Sequence, residues 1–451
     1  EKNGEVAAAR ILHSDLLPPY QGEILGPRFN SFGWGPRREY LTGLPHFPSS
    51  TFTGEFPIAR IDFEDDTFPG EVSLTAFNPF IPTNEDDSSI PAAFFEINIS
   101  NDSEDDLTYT VAGVLGNPLP ANNMHSVDEH EWGHALHLVS DSLDASAINY
   151  GELTLATDAA LAEDVDVSWQ RYWFKGSWFD NLEVYWHDLT TPGRFSDRYY
   201  EPEQAGSENQ GMLAVHIPIQ AGKSRRVRFV LTWNFPNCEN YWTPHLEGTW
   251  RNYYATLWDT STASAEYSLT NWQHLFAETL RFKKALFASD IPPAALDAVS
   301  ATLSVLKSPT VLRLEDGGIW GWEGCHCDTG CCAGSCTHVW NYAQALPHLL
   351  PSLERTLRQT EFQESQDERG HQAFRSALPI QATSHTTHAA ADGQRRKDDI
   401  RRALIIDMPR AVFGLRHGVA VLALHGRTPI RVSEVNFVRP HARVRSLRRA
   451  R

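Results

Sequence analysis

Two neighbouring stretches of this 451-residue chain gather side chains that can do chemistry on a sugar. Leu314-Glu315-Asp316-Gly317-Gly318-Ile319-Trp320-Gly321-Trp322-Glu323-Gly324 sets three carboxylates among two Trp and four Gly. Carboxylates supply the acid-base work of glycosidic cleavage, and glycines allow the sharp loops that bring such groups to one place. The Trp rings offer faces for the apolar side of a sugar. Shortly downstream, Gly334-Ser335-Cys336-Thr337-His338-Val339-Trp340-Asn341-Tyr342-Ala343-Gln344-Ala345-Leu346 carries hydrogen-bonding and stacking groups in His338, Trp340 and Asn341. The competing reading of Glu315 to Glu323 is a solvated turn; the density of carboxylate, Trp and Gly favours the sugar site.

These groups need elements to hold them. Leu346, Leu349, Leu350, Leu353 and Leu357 recur at three- and four-residue steps, so a helix is predicted from Asn341 to Phe362 with this face buried. Two further helices are predicted upstream. Asn271 to Phe287 follows an N-cap candidate in Thr270 or Asn271, and Pro292 to Leu306 opens with prolines suited to a first turn. Before these the periodicity is that of strands: Phe56–Phe63, Glu71–Phe77, Ala92–Ile99, Gly211–Ile219 and Val227–Trp233 alternate or run apolar between turn-forming clusters. Strands at this spacing predict a β-sandwich rather than parallel βαβ units. The expected fold is therefore a multidomain β + α chain, with the change of period placing the boundary within 240–265.

The net charge of −18 conceals a reversal. Residues 395–451 hold 15 Lys and Arg against 4 Asp and Glu, whereas residues 1–394 hold 24 against 53. An acidic body argues against non-specific nucleic-acid binding. The tail has no Trp or Tyr, Arg supplies 14 of its 15 basic residues, and helical periodicity stops where it should continue. That composition is expected of a segment read out of frame from GC-rich DNA; the alternative is a basic arm for an acidic partner. No apolar run reaches membrane-spanning length and no apolar leader precedes a cleavage site, so no transmembrane segment is expected and a cytoplasmic location is. Glu rather than Met at position 1 suggests that residues precede it.

Two motifs invite metal chemistry. His130-Glu131-Trp132-Gly133-His134 matches HExxH, which makes a zinc protease only on a helix, where both imidazoles reach one metal. Gly133 interrupts such a helix and Ala135–Val139 reads as a strand, so the metalloprotease is the weakest alternative. Cys325, Cys327, Cys331, Cys332 and Cys336 fall within twelve residues. Their spacing is neither paired CxxC knuckles nor a ferredoxin run. They read as small thiols shaping a loop, with a structural metal or loop disulfide as the alternative; no metal or cofactor is expected.

Longer motifs point to a family. Gly54-Glu-Phe-Pro57, Phe77-Asn-Pro-Phe-Ile-Pro-Thr-Asn-Glu-Asp-Asp-Ser-Ser-Ile-Pro-Ala-Ala-Phe-Phe95, Phe229-Val-Leu-Thr-Trp-Asn-Phe-Pro236, Glu315-Asp-Gly-Gly318 and Cys336-Thr-His-Val-Trp-Asn-Tyr342 through Leu353-Glu354 resemble glycoside hydrolase family 116, which includes non-lysosomal glucosylceramidase and bacterial β-glucosidases. The resemblance spans about residues 40–394 and implies an N-terminal β-sandwich, assigned to 1–250, and the first part of an (α/α)6 barrel, assigned to 251–394; the basic tail read from the charge reversal occupies 395–451. It implies retaining hydrolysis of β-glucosides or related β-glycosides, with a carbohydrate or glycolipid as substrate. The position of the family's usual nucleophile is Thr310 here, which cannot serve. Glu323 becomes the first choice, with Glu315 and Asp316 behind it; Asp316 alternatively orients Glu323 or binds a sugar hydroxyl. Trp320, Trp322 and Trp340 would stack on sugar, while His338, Asn341 and Asp392 would bind hydroxyls. The family's acid/base Asp lies beyond the His388–Gln394 segment and has no counterpart, which leaves a binding-only relative as the alternative.

Overall fold

The computed structural model describes residues 1–14, 44–176, 180–239, 249–308, 311–321, 324–325, 330–331, 335–336, 345–364 and 375–376. After a short parallel pair, β1 (Ile11–Ser14) and β2 (His46–Phe47), come strands β3 (Ser49–Glu55), β4 (Ile58–Glu64), β5 (Glu71–Phe77) and β6 (Ala92–Ser100). The run continues with β7 (Leu107–Gly116), β8 (Asn123–His130), β9 (Gly133–Ser140), β10 (Glu152–Thr157), β11 (Asp166–Gln170), β12 (Gln210–Ile219) and β13 (Ser224–Asn234).

They form two antiparallel sheets. The larger has eight strands in the order β3-β4-β5-β6-β13-β10-β9-β8, and the smaller three in the order β11-β12-β7. Strand alternation assigns each residue to a face. Val72, Leu74, Phe95, Ile97, Leu136, Leu155 and Phe229 of the large sheet meet Val111, Leu115, Leu213, Val215 and Ile217 of the small one in a single core. This is the sandwich expected from the strand spacing, and the chain is of mixed β and α type.

The outer faces are covered by helices. Helix α1 (Asp180–Leu189) lies where the sequence reads as a loop-rich middle, and its Tyr185 stacks on Trp173 at 4.1 Å against Ala112, Val114, Met212 and Ala214 of the small sheet. A short helical turn, α2 (Pro202–Ala205), follows. Strands β14 (Asn237–Glu239) and β15 (Thr249–Arg251) and the turn α3 (Tyr254–Leu257) lead to α4 (Ser261–Thr270) and α5 (Trp272–Phe287) on the outer face of the large sheet. The buried stripe of α4 is Ser261, Ser264, Ala265 and Ser268 with Leu269, and it faces Ala135, Ala156 and Val230. Small residues on both sides let the backbones approach, and Thr232 Oγ1 donates to the Ser261 carbonyl at 2.6 Å. Large residues of the adjoining strands, Phe94 of β6 and Phe77 of β5, meet Trp272 tilted at 5.1 Å and edge-on at 5.5 Å.

Helix α6 (Pro293–Leu303) ends in a 3-10 turn, Ser304–Lys307, and is followed by the hairpin β16 (Val311–Arg313) and β17 (Ile319–Gly321). The helix expected to run unbroken to Phe362 is divided into α7 (Leu346–Leu349) and α8 (Pro351–Gln359), followed by a wider turn to Glu364. Pro351 is the cause, because proline disfavours helical backbone in the residue before it, and Leu350 sits at φ −134°, ψ 65°. The apolar face survives the break: Leu346, Leu350, Leu353 and Leu357 close on Phe80, Leu303, Leu306, Val311 and Ile319. Residues 341–344 of that prediction lie outside the described residues.

Candidate functional site

The hairpin β16–β17 presents the first carboxylates of the motif. Leu314 donates to the Gly318 carbonyl and Gly317 to the Leu314 carbonyl, both at 2.8 Å, closing the turn. Gly317 adopts φ +82°, a left-handed conformation that side-chain-bearing residues rarely take. Asp316 Oδ1 accepts the Gly318 N–H at 2.7 Å, so its carboxylate braces its own turn. Glu315 and Asp316 are exposed at the tip, whereas Trp320 is buried at 4% exposure between Ile319 and Gly321. The structure thus brings Glu315 and Asp316 side by side and places Trp320 in the packed part of the hairpin. Glu323, Trp322, His338, Trp340, Asn341, Asp392 and Thr310 lie outside the described residues, as do the side chains of the five clustered cysteines.

Sequence reasoning missed the groups that hold this hairpin. Tyr253 N–H donates to the Arg313 carbonyl at 2.9 Å and Glu315 N–H to the Arg251 carbonyl at 3.0 Å, so the hairpin is stitched to the end of β15 and the residues that follow it. Arg313 is buried, and its guanidinium stands 3.5 Å from the centroid of Tyr253. The same group donates to Asp86 Oδ1 at 3.1 Å, Ser89 Oγ at 3.1 Å and the Glu85 carbonyl at 3.3 Å. Burial, with the nearby Asp86 also contributing, raises the Tyr253 phenol against the opposing pull of Arg313. The loop that Arg313 grips is the Pro- and Asp-rich segment after β5. The only sequence signal for Arg313 was a cation flanked by apolar residues in Val311-Leu312-Arg313-Leu314, a position that demands a partner.

That loop is internally bonded and anchored twice more. Ser88 Oγ donates to the Ile81 carbonyl and accepts the Ile81 N–H at 2.9 Å, and Asn78 Nδ2 reaches the carbonyls of Ile90 and Ala92. Tyr267 on α4 donates to Asp87 Oδ1 at 2.7 Å; burial and that carboxylate push the phenol up to about 12. Lys307, half-buried with its amine turned inward, donates to the Ser88 carbonyl, and burial of the amine lowers it to about 7. On α8, Arg358 joins Glu354 and Glu361 at 2.5 Å each. The arrangement fixes the turn that carries the exposed Glu315 and Asp316 through the Arg313 anchor and the backbone bonds to Arg251 and Tyr253. Asp316, already accepting an N–H, is suited to orient a group or take a hydroxyl.

Other motifs resolve differently. His130 ends β8 and His134 belongs to β9, with Glu131 and Trp132 in the turn between them. The HExxH residues therefore lie on a β-hairpin, where His130 stacks on Trp132 at 4.6 Å and the helical geometry that zinc needs is not formed. Gly133 takes φ +143°, and a Cβ there would stand 2.2 Å from the Thr157 carbonyl oxygen. Among the described residues no group of three or more His, Cys, Asp or Glu could hold a metal ion. A groove of about 490 Å³ lined by both charged and apolar side chains, among them Arg60, Asp62, Phe63, Glu64, Val72 and Asn98, contains none of the candidate site residues. No described helix is long and apolar enough to cross a membrane.

Residues 2–275 match the family described as "beta-glucosidase 2, glycosyl-hydrolase family 116 N-term". No curated protein matches the chain. Among solved structures, similarity is found to a "Putative kojibiose phosphorylase from human microbiome", at 10% identity and TM-score 0.26 over 51% of this chain and 23% of that one. A polysaccharide lyase follows at 10% identity and TM-score 0.23, over 40% and 22%. A protein from Synechocystis sp. PCC 6803 matches at 11% identity and TM-score 0.22, over 49% and 77%. The chain spans less than a quarter of the phosphorylase and lyase, and likenesses this distant carry no argument about activity.

Proposed function

The chain belongs to glycosyl-hydrolase family 116, and from that premise we propose that it serves the hydrolysis of β-glucosides or related β-glycosides. On this reading residues 1–250 are the β-sandwich, and residues 251–394 begin an (α/α)6 barrel whose first helices are those packed on the large sheet and around α8. Glu323 attacks the anomeric carbon while a second, protonated carboxyl donates to the leaving oxygen; water then releases the sugar with that second group as base. Retention requires the two carboxyls to stand about 5–5.5 Å apart. Asp316 orients the nucleophile or binds a hydroxyl, and Glu315 is the reserve carboxylate of the same turn. Trp320, Trp322 and Trp340 supply apolar faces; His338, Asn341 and Asp392 take hydroxyls. The substrate is a carbohydrate, with a glycolipid as one form.

The observation that supports this reading most is the family match over the sandwich and as far as helix α4 and the first turn of α5, joined to a carboxylate-bearing hairpin that Arg313 and the strand-edge backbone fix to that sandwich. The test is release of 4-nitrophenol from its β-D-glucoside with the anomer of the product followed by NMR. The β-anomer appearing first supports the proposal; the α-anomer first would end the retaining mechanism. Thr310 at the usual nucleophile position favours one second reading, a relative that binds carbohydrate without cleaving it. Saturable glucoside binding with no product over days would favour that second reading.

A further inference from the structure

The segment Phe195 to Glu201 crosses the small-sheet end of the sandwich far in sequence from the hairpin, and it alternates like a strand without pairing as one. Arg198 and Tyr200 turn inward: Arg198 bonds Asp188 at 2.6 Å, and the Tyr200 ring stands 5.5 Å from buried Tyr172 while its hydroxyl accepts the Lys175 N–H at 3.3 Å. Asp197, Tyr199 and Glu201 turn outward. Tyr199 is 47% exposed, a large share for an aromatic ring, and nearby Phe174 is 39% exposed.

Exposure alone would mean little, but Tyr199 is held from several sides. The Arg171 guanidinium lies 4.6 Å from its centroid, covering one face. Arg171 is itself fixed, because Asp197 accepts its backbone N–H at 2.9 Å and its Nε–H at 2.8 Å. The Tyr199 hydroxyl donates to Glu201 Oε2 at 3.1 Å, and the edge of Tyr172 meets the ring at 6.3 Å and 72°. The result is a pre-oriented ring with one face backed by a cation, bordered by two carboxylates and a guanidinium. An apolar partner would strip water from those charged groups without offering them new hydrogen bonds. A pyranose suits both parts, its axial C–H surface lying on the ring and its equatorial hydroxyls meeting the charged rim.

We propose that Tyr199, backed by Arg171 and flanked by Asp197 and Glu201, is a carbohydrate-binding platform on the sandwich that seats a glucose unit of a β-linked chain away from the candidate catalytic hairpin. The choice of a β-linked glucose chain rests on the proposed function; the platform rests on the geometry. Pinning the ring in advance lowers the ordering cost of binding.

The test is calorimetric titration of the full chain with cellotetraose, repeated on Tyr199→Ala and Tyr199→Phe. Tyr199→Ala is expected to weaken binding about tenfold, a difference of about 1.4 kcal/mol, and Tyr199→Phe, which keeps the face, by about twofold or less. Nitration of the unaltered chain with tetranitromethane, mapped by peptide mass, provides a measurement that needs no variant: cellotetraose is expected to slow modification of Tyr199. Binding unchanged in Tyr199→Ala, or Tyr199 nitrated equally fast with saturating sugar, would overturn the platform, as would no binding by the full chain. A chain that hydrolyses β-glucosides without Tyr199-dependent binding loses the platform and keeps the hydrolase reading. Tyr199-dependent binding without hydrolysis has the opposite meaning.

Discussion

Arg313 determines where the carboxylate hairpin sits more than either carboxylate does. It spends its side chain on Asp86, Ser89, the Glu85 carbonyl and the face of Tyr253, and its backbone on Tyr253 N–H. Asp86 is 56% exposed and is the screened partner, so the Arg313→Ala cost comes mostly from lost packing and hydrogen bonds. Urea unfolding should show a loss of about 1–3 kcal/mol; an unchanged midpoint would refute the anchoring role. Lys307 is a half-buried side chain whose amine is turned inward onto the Ser88 carbonyl, and burial of that amine lowers it from 10.5 to about 7. A base with a depressed folded pKa costs stability fully below about pH 7 and ceases to cost it as pH rises towards 10.5. Lys307→Met should therefore stabilise the protein by roughly 1–4 kcal/mol at pH 6, with the gain shrinking by pH 10. A gain that is absent or grows with pH would contradict this.

Among the elements, the β8–β9 hairpin shows how one glycine decides between two readings of a motif. Substituting Ala at Gly133 would force a side chain into φ +143° and against the Thr157 carbonyl. Gly133→Ala should cost about 1–3 kcal/mol, while His130→Ala, at an exposed hairpin end, should stay within about 0.5 kcal/mol. Chelator-sensitive hydrolysis lost in His130→Ala would instead revive the zinc protease. Helix α4 is capped by Thr260 Oγ1 to Ala263 N–H at 3.0 Å, and Glu152 accepts the Ser261 N–H at 2.5 Å while bonding His137 at 3.1 Å. Burial works against the Glu152 charge, but His137 and the Ser261 N–H outweigh it and hold the carboxyl below its ordinary 4.5. Its stabilising contribution is present above that value and lost as pH falls through the folded pKa. Glu152→Gln should flatten the acid limb of the stability profile; an unaltered limb would show that the cap contributes nothing.

Across the whole molecule, the sandwich was legible because strand period is local. Phe94 and Phe95, pointing to opposite faces, declare both the core and the helix-covered side, and the observed strands include all five predicted ones. The helices of 271–303 were legible for the same reason. Helix α1 was hidden because Asp180–Leu189 is short, half polar and set among Pro and Gly, and its Tyr185 is buried by strand residues such as Val114 and Met212 that lie far from it in sequence. The break at Leu350 was visible in Pro351 but outweighed by the leucine pattern, which the two helical pieces preserve. At the site, carboxylates and Trp stood out by composition, whereas Arg313, Tyr253 and Asp86 become a unit only when residues more than 200 apart are brought together. The proposed retaining hydrolysis requires a covalent glycosyl intermediate on Glu323. The measurement is incubation of the chain with a 2-deoxy-2-fluoro-β-glucoside bearing a good leaving group, followed by intact mass and peptide mapping. One fluoroglucosyl group on the peptide containing Glu323, lost in Glu323→Gln, is the expected result. No adduct, or an adduct on Glu315, Asp316 or elsewhere, would contradict it.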